Sequence, residues 1–254
     1  MTARGTDIRI AAALVAAALG CGAFALLWRA ASAAAVATEN TATDLNIVMA
    51  MHSVSPMSRR LVALTVDDGP SPAYTPEVLA LLDKYDAHAT FFVIGKFATR
   101  YPDLVRQEVA QGSEIGDHTW SHPRMRLITA AQTRDEVFRG ADAIAGITGK
   151  APPFFRPPRG EVTPQVLEAA AERGIPVVLW DVAFDHLLHA TQEQRARWVL
   201  DHTRPGSIIL VHDSGAPAGA DRNGSIAALE IVLRELKAQG YRVVTVSELV
   251  RSAG

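Results

Sequence analysis

From Arg60 onward, short apolar runs alternate with longer stretches in which apolar residues recur every three or four positions. The runs read as buried strands and the stretches as amphipathic helices. The strands expected are Leu61–Val66, Ala89–Ile94, Glu114–Gly116, Phe154–Arg156, Val177–Trp180, Ser207–Val211 and Arg242–Val246. Between them lie helical patterns such as "TPEVLALLDKYDA", "TPQVLEAAAERG" and "SIAALEIVLRELKAQG". Two of these open with Thr-Pro, an N-cap followed by the proline favoured in the first turn. Gly112, Gly174 and Gly240 stand where helices would stop. Repeated strand-helix alternation predicts parallel strands joined by crossover helices. The fold expected is α/β with about seven parallel strands in an incompletely closed (β/α) barrel; an open doubly wound sheet is the alternative.

Charged and polar residues interrupt this rhythm at the strand ends. "ALTVDDGPSP" runs from apolar residues into two adjacent carboxylates, Asp67 and Asp68, and stops at Gly-Pro. His118 and His122 follow the third strand, Arg156 closes the fourth, Asp181 the fifth, and His212-Asp213 the sixth. In a parallel barrel those ends share one face, where such folds place their chemistry.

The first 40 residues are of another material. Arg4 and Arg9 precede an almost unbroken apolar run, Ile10 to Trp28, long enough to cross a bilayer as a helix. Ala31-Ser32-Ala33 and Ala35-Val36-Ala37 offer signal-peptidase sites. The reading is a cytoplasmic tip and hydrophobic helix at residues 1–28, serving as membrane anchor or cleaved signal. A linker follows at 29–59, in which "LNIVMAM" could pack as a short strand, and then one catalytic domain at 60–254. Both readings place that domain outside the cytoplasm, anchored to the inner membrane or secreted. A lipoprotein reading of Cys21 is weaker, because apolar residues continue past it.

Composition narrows the chemistry. With 48% hydrophobic residues in 254, the chain has material for one large core. A net charge of −2 with no basic stripe gives no reason to expect nucleic acid. Cys21 is the single cysteine, so a metal in the domain would be held by His and carboxylate.

"HTWSH" places two imidazoles four residues apart, a spacing that on a helical turn lets them share a cation. With one carboxylate they form a facial set suited to Zn, Co, Ni or Fe(II). Such a cation also explains the paired aspartates: one binds it, and its charge keeps the other ionised as a base. Arg156 or Arg159 of "FFRPPRG" would pair with a carboxylate, and His212 of "SIILVHDSG" reads as a general acid.

"TVDDGP", "HTWSH", "RPPRG", "WDVAFDH" and "ILVH", in that order, resemble the polysaccharide deacetylase family, carbohydrate esterases with a NodB-homology domain. The resemblance covers Arg60 to the C-terminus. It implies a distorted (β/α) barrel and metal-dependent removal of N-acetyl groups from N-acetylglucosamine-containing glycans, peptidoglycan or chitin-like. By the same resemblance Asp67 is the general base, Asp68, His118 and His122 bind the metal (zinc first), Arg156 orients Asp67, and His212 is the acid. Asp185 tunes His212, and the backbone N–H of Arg159 serves the oxyanion hole. Two positions depart from the family: Arg159 stands where a tyrosine is usual, and Asp185-His186 where Asp-Trp is common. The second departure makes Asp181 a rival to Asp185. His186 and His189, three apart, read as loop residues rather than a second metal site. An O-acetyl esterase using the same residues and a non-catalytic glycan-binding module are the alternatives.

Overall fold

The computed structural model describes residues 60–186, 189–214 and 220–252. The hydrophobic N-terminal segment, Cys21, the linker and "LNIVMAM" lie outside the described residues. Among those described, no helix is long and apolar enough to cross a membrane.

The strands are β1 (Leu61–Asp67), β2 (Ala89–Val93), β3 (Glu114–Asp117), β4 (Val182–Ala183), β5 (Ile208–His212) and β6 (Arg242–Val244). They form one parallel sheet in the order β3-β2-β1-β5-β4. β1 is central and wholly buried, as its continuous apolar run requires of a strand covered on both faces. Its first three residues pair with β6 and its last four with β2. Register sets the ends level: Asp67 lies opposite both His212 of β5 and Phe92 of β2.

Six strands form among the described residues where seven were expected. The segments around Phe154–Arg156 and Val177–Trp180 contribute only single bridges, Asp117 to Phe155 and Phe155 to Val177. Pro152, Pro153, Pro157, Pro158 and Pro176 flank them, and proline has no N–H to extend a ladder. The second segment then changes partner. Val178 donates to the Phe155 carbonyl at 2.8 Å, whereas Asp181 donates to Ile208 at 2.9 Å and Val182 pairs with Ile209. One irregular stretch thereby bonds on one side to Phe155, itself bridged to β3, and on the other to β5. β6 stops at Val244 because Thr245 caps the next helix, accepting from the Glu248 N–H.

The helices that bear on the site are α1 (Thr75–Tyr85), α2 (Gly95–Arg100), α3 (Pro102–Ala110), α4 (Ala130–Thr148), α5 (Pro164–Arg173), α6 (Gln192–His202) and α7 (Asn223–Ala238). Val78, Leu79 and Leu82 of α1 share the main core with Leu229, Val232 and Leu233 of α7 and with Leu64 and Val66 of β1. Thr163 caps α5 as expected, accepting from the Val166 N–H. Thr75 does not cap α1. It lies inside the first turn, and its hydroxyl is directed to Asp213. α4 packs so closely that a Cβ on Gly140 would sit 2.2 Å from Asp117 Oδ1, which explains a glycine in mid-helix.

Candidate active site

β1, β3 and β5 end on one rim, and their last residues meet there. Asp67 is 3% exposed and Arg156, held by the proline-flanked segment, is 0% exposed. The guanidinium gives Nη1 to Asp67 Oδ1 at 2.7 Å and to Thr65 Oγ1 at 2.8 Å. Nε and Nη2 donate to the carbonyls of Val178 and Leu179 at 3.1 and 2.8 Å, and Phe92 lies beneath with its centroid 4.1 Å away. A buried guanidinium with this many partners is a fixed counter-ion. Of the two arginines in "FFRPPRG", Arg156 pairs with the carboxylate.

Asp68 follows at φ 79°, outside the strand geometry. Its Oδ1 lies 3.2 Å from His122 Nε2 and 3.5 Å from His118 Nε2, yet it is buried and accepts no hydrogen bond. His118 Nδ1 is 2.7 Å from the Arg156 carbonyl. A carbonyl only accepts, so Nδ1 carries a proton and Nε2 is the nitrogen that faces the carboxylates. Burial pushes His122 down to about 4, with His118 and Arg159 adding to the effect against Asp68. Burial opposes ionisation of Asp68, but the imidazoles of His118, His212 and His122 outweigh it and its carboxyl stays below the ordinary value.

With both rings neutral, as metal ligation requires, the three residues would point lone pairs at one another, with ligand atoms all within 4.8 Å. Electron pairs brought that close repel unless a cation lies between them, and an orphaned buried carboxylate oxygen requires an explanation. Two imidazoles and one carboxylate fit a divalent metal ion. Among the described residues no other His, Cys, Asp and Glu group is so placed. The helical turn expected for "HTWSH" is absent. Thr119 at φ 69° and His122 at φ 60° fold the loop back, which brings the two rings to 5.0 Å. The Asp117 carboxylate holds this loop by accepting from the Thr119 N–H at 3.0 Å.

Opposite stands His212. Its Nδ1 meets Asp185 Oδ2 at 2.8 Å. Asp185 also receives Arg222 at 2.9 Å, Ser225 at 3.0 Å and Arg195 at 3.3 Å. Burial works against both charged forms. Their mutual hydrogen bond nevertheless raises His212 and lowers Asp185, helped by Asp68 and Asp67 on one side and Arg222 on the other. Asp185, not Asp181, contacts His212. Asp181 Oδ2 instead accepts from the Ile208 N–H at 2.8 Å, at the start of β5. His186 stacks on Trp198 at 4.1 Å, and Trp198 meets His202 at 3.6 Å.

Arg159 stands in a 3₁₀ turn at φ 58°, a strained conformation for a residue with a side chain. Its Nη1 reaches the Pro123 carbonyl at 3.3 Å, beside His122. Thr65, Ser225, Arg195 and Arg222 were not singled out by the sequence. Thr65 is a polar residue in an apolar strand, a signal that could have been used. Arg222 and Ser225 lie in or beside a polar loop with no such signal.

The chain is similar to several known proteins. The polysaccharide deacetylase family model matches residues 55–178. A peptidoglycan-N-acetylglucosamine deacetylase of Bacillus cereus is 40% identical over 198 residues, covering 77% of this chain and 91% of that protein. The structure of the peptidoglycan deacetylase PdaC from Bacillus subtilis superposes with a TM-score of 0.69 at 32% identity, over 77% of this chain and 92% of that one. BA3943, a CE4 family pseudoenzyme from Bacillus anthracis, superposes with a TM-score of 0.68 at 26% identity, over 76% and 66%.

Proposed function

The chain belongs to the polysaccharide deacetylase family, and on that premise we propose that it removes N-acetyl groups from an N-acetylglucosamine-containing glycan of the peptidoglycan type. One observation carries the reading: the Asp67–Arg156 pair and the Asp68, His118, His122 cluster face the His212–Asp185 pair across one rim. We read the ring of backbone pairing as a distorted (β/α) barrel, and residues 60–254 as the catalytic domain.

Asp68, His118 and His122 would hold a divalent cation, zinc first among zinc, cobalt, nickel and iron(II). Bound there, it supplies Lewis acidity to the acetyl carbonyl and lowers the pKa of water. Asp67 takes a proton from the attacking water. Arg156 immobilises its Oδ1, so Oδ2 is left to face the reaction. As the water oxygen bonds to the acetyl carbon, charge develops on the carbonyl oxygen, where the Arg159 backbone N–H would donate. His212 gives the proton on Nε2 to the amide nitrogen as the C–N bond breaks, because Nδ1 is engaged by Asp185. The products are acetate and a free amino sugar.

Acetate release from N-acetylated and O-acetylated glycans, with and without chelator, tests the assignment. The expected result is release from the N-acetyl substrate, abolished by chelation and restored by zinc or cobalt. Full activity in protein shown metal-free by elemental analysis would overturn it. Release from O-acetyl substrates alone would favour an esterase. Release from neither would make the domain a non-catalytic glycan-binding module, although the complete Asp-His-His set argues against that.

A second expectation concerns pH. His212 is raised above the ordinary imidazole value, so the acid stays protonated further into the alkaline range and is lost as pH passes that raised value. Asp185→Asn removes the charge that contributes to the shift. The alkaline limb of the kcat/KM profile is expected to move to lower pH, and an unmoved limb would assign it to another group.

The reading also places the domain outside the cytoplasm, exported by the segment around residues 10–28 as anchor or cleaved signal.

A further inference from the structure

Asp213 follows His212 directly, is fully buried, and has no part in the mechanism above. Its surroundings are specific. Its backbone N–H donates to the Asp67 carbonyl at 3.2 Å. Its Oδ2 accepts from the Thr75 hydroxyl at 2.5 Å, and that hydroxyl in turn accepts from the Ser71 N–H at 2.7 Å. Its Oδ1 lies against Gly69, where a Cβ would come within 2.4 Å, and has no hydrogen-bond partner. One residue therefore touches the turn Asp67 to Ser71 at two points directly, at Asp67 and Gly69, and at a third through the Thr75 hydroxyl, while being covalently joined to His212. The far side of the turn is held by the Ile94 N–H, which donates to the Gly69 carbonyl at 2.9 Å.

We propose that Asp213 is a positioning residue that locks the turn bearing Asp67 and Asp68 to the strand bearing His212, and so sets the distance between base, metal ligand and acid. The turn needs such a device. Asp68 has a positive φ and Gly69-Pro70 follows at once, so the β1 ladder ends before residues 68 to 70, and α1 reaches back only to Ser71, whose carbonyl accepts from the Tyr74 and Thr75 N–H groups at 3.2 and 2.9 Å. The carboxyl acts through its shape and its hydrogen bond. Burial raises it to about 7, with the charge of Asp68 adding to the effect against the Thr75 hydrogen bond. Glu108 of α3, fully buried with both oxygens unpartnered, is also held above the carboxylate range, by burial and by Asp213.

The test compares Asp213→Ala, Asp213→Asn, Thr75→Val and Thr75→Ser in the full chain. Thermal unfolding, zinc affinity by competition with a chelating dye, and kcat and KM on an N-acetylated glycan are read for each. Misplacing reacting groups by about 1 Å costs about 10²-fold, so Asp213→Ala is expected to lose about that much in kcat with KM little changed, and to bind zinc more weakly. Asp213→Asn has the same shape and still accepts from Thr75, so it should restore most of both. Thr75→Val should fall between, and Thr75→Ser should stay near the parent. A folded Asp213→Ala protein with unchanged zinc affinity and kcat overturns the proposal. So does an Asn variant as impaired as the Ala variant at equal stability. If Asp213→Ala does not fold, Thr75→Val decides: unchanged zinc affinity and kcat there count against the lock. The kinetic readouts rest on the deacetylase reading and the zinc affinity does not. A parent protein that binds zinc but releases no acetate would count against that reading and leave the lock to be judged on zinc alone.

Discussion

Asp68→Asn is expected to lose metal and activity together, whereas Asp67→Asn should keep the metal and lose about 10²- to 10⁴-fold in rate, the usual worth of a positioned general base. The two carboxylates are neighbours in sequence, and the difference lies in what each meets. Asp68 Oδ1 faces two imidazole nitrogens, is buried, and has no hydrogen-bond partner, which is the environment of a ligand. Asp67 spends one oxygen on Arg156 and holds the other 3.8 Å from His118 Nε2, near the metal cluster but not within it. Neutralising Asp67 also leaves the fully buried Arg156 charge without its counter-ion. Breaking a buried pair of this kind costs about 3–5 kcal/mol, so the Asp67→Asn protein should unfold at lower temperature while still binding metal. Metal content beside kinetics and thermal unfolding for both variants checks this. Metal lost from Asp67→Asn and kept in Asp68→Asn would exchange the two roles.

The rim was legible because strand termination is written in residue type. Leu61–Val66 and Ser207–Val211 are apolar runs that end in Asp67 and His212, and parallel pairing in register then places those two side by side. The proline-flanked segments misled, because Phe154–Arg156 and Val177–Trp180 are apolar enough for strands but lack the donors to extend a ladder. "HTWSH" shows the limit of local spacing. The two histidines do converge, but through positive φ at Thr119 and His122, which a helical template cannot anticipate. Thr75 failed differently: the cap reading was sound chemistry for Thr-Pro, and a buried acid 138 residues away takes the hydroxyl instead. The choice between Asp185 and Asp181 needed coordinates, because both follow the same irregular segment. Asp181 is drawn to the start of β5, and the short 3₁₀ turn Phe184–His186 sets Asp185 against His212.

His212→Ala should slow amide hydrolysis severely while sparing activated acetyl esters. The argument starts from the leaving groups. An amine cannot depart as its anion, so C–N cleavage needs a proton delivered to nitrogen as the bond breaks; a phenolate leaves readily without one. The geometry supplies that proton from one place. Against burial, Asp185 raises the His212 imidazole above its ordinary value, and Asp68 and Asp67 raise it further; Arg222, Ser225 and Arg195 hold Asp185 in place. Removing the ring leaves Asp67, Arg156 and the Asp68, His118, His122 cluster in place, so base and metal site should still work on an aryl acetate. Losses of about 10²- to 10⁴-fold on the N-acetyl glycan, against little change on the aryl ester, are the expected pair of results. Equal losses on both substrates would make His212 positional, with the proton donor elsewhere. His186 is the first residue to replace in that event, although its ring lies stacked on Trp198. Metal content measured on the same His212→Ala protein closes the alternative that the variant fails by losing its ion, since His212 is not among the three residues whose ligand atoms converge.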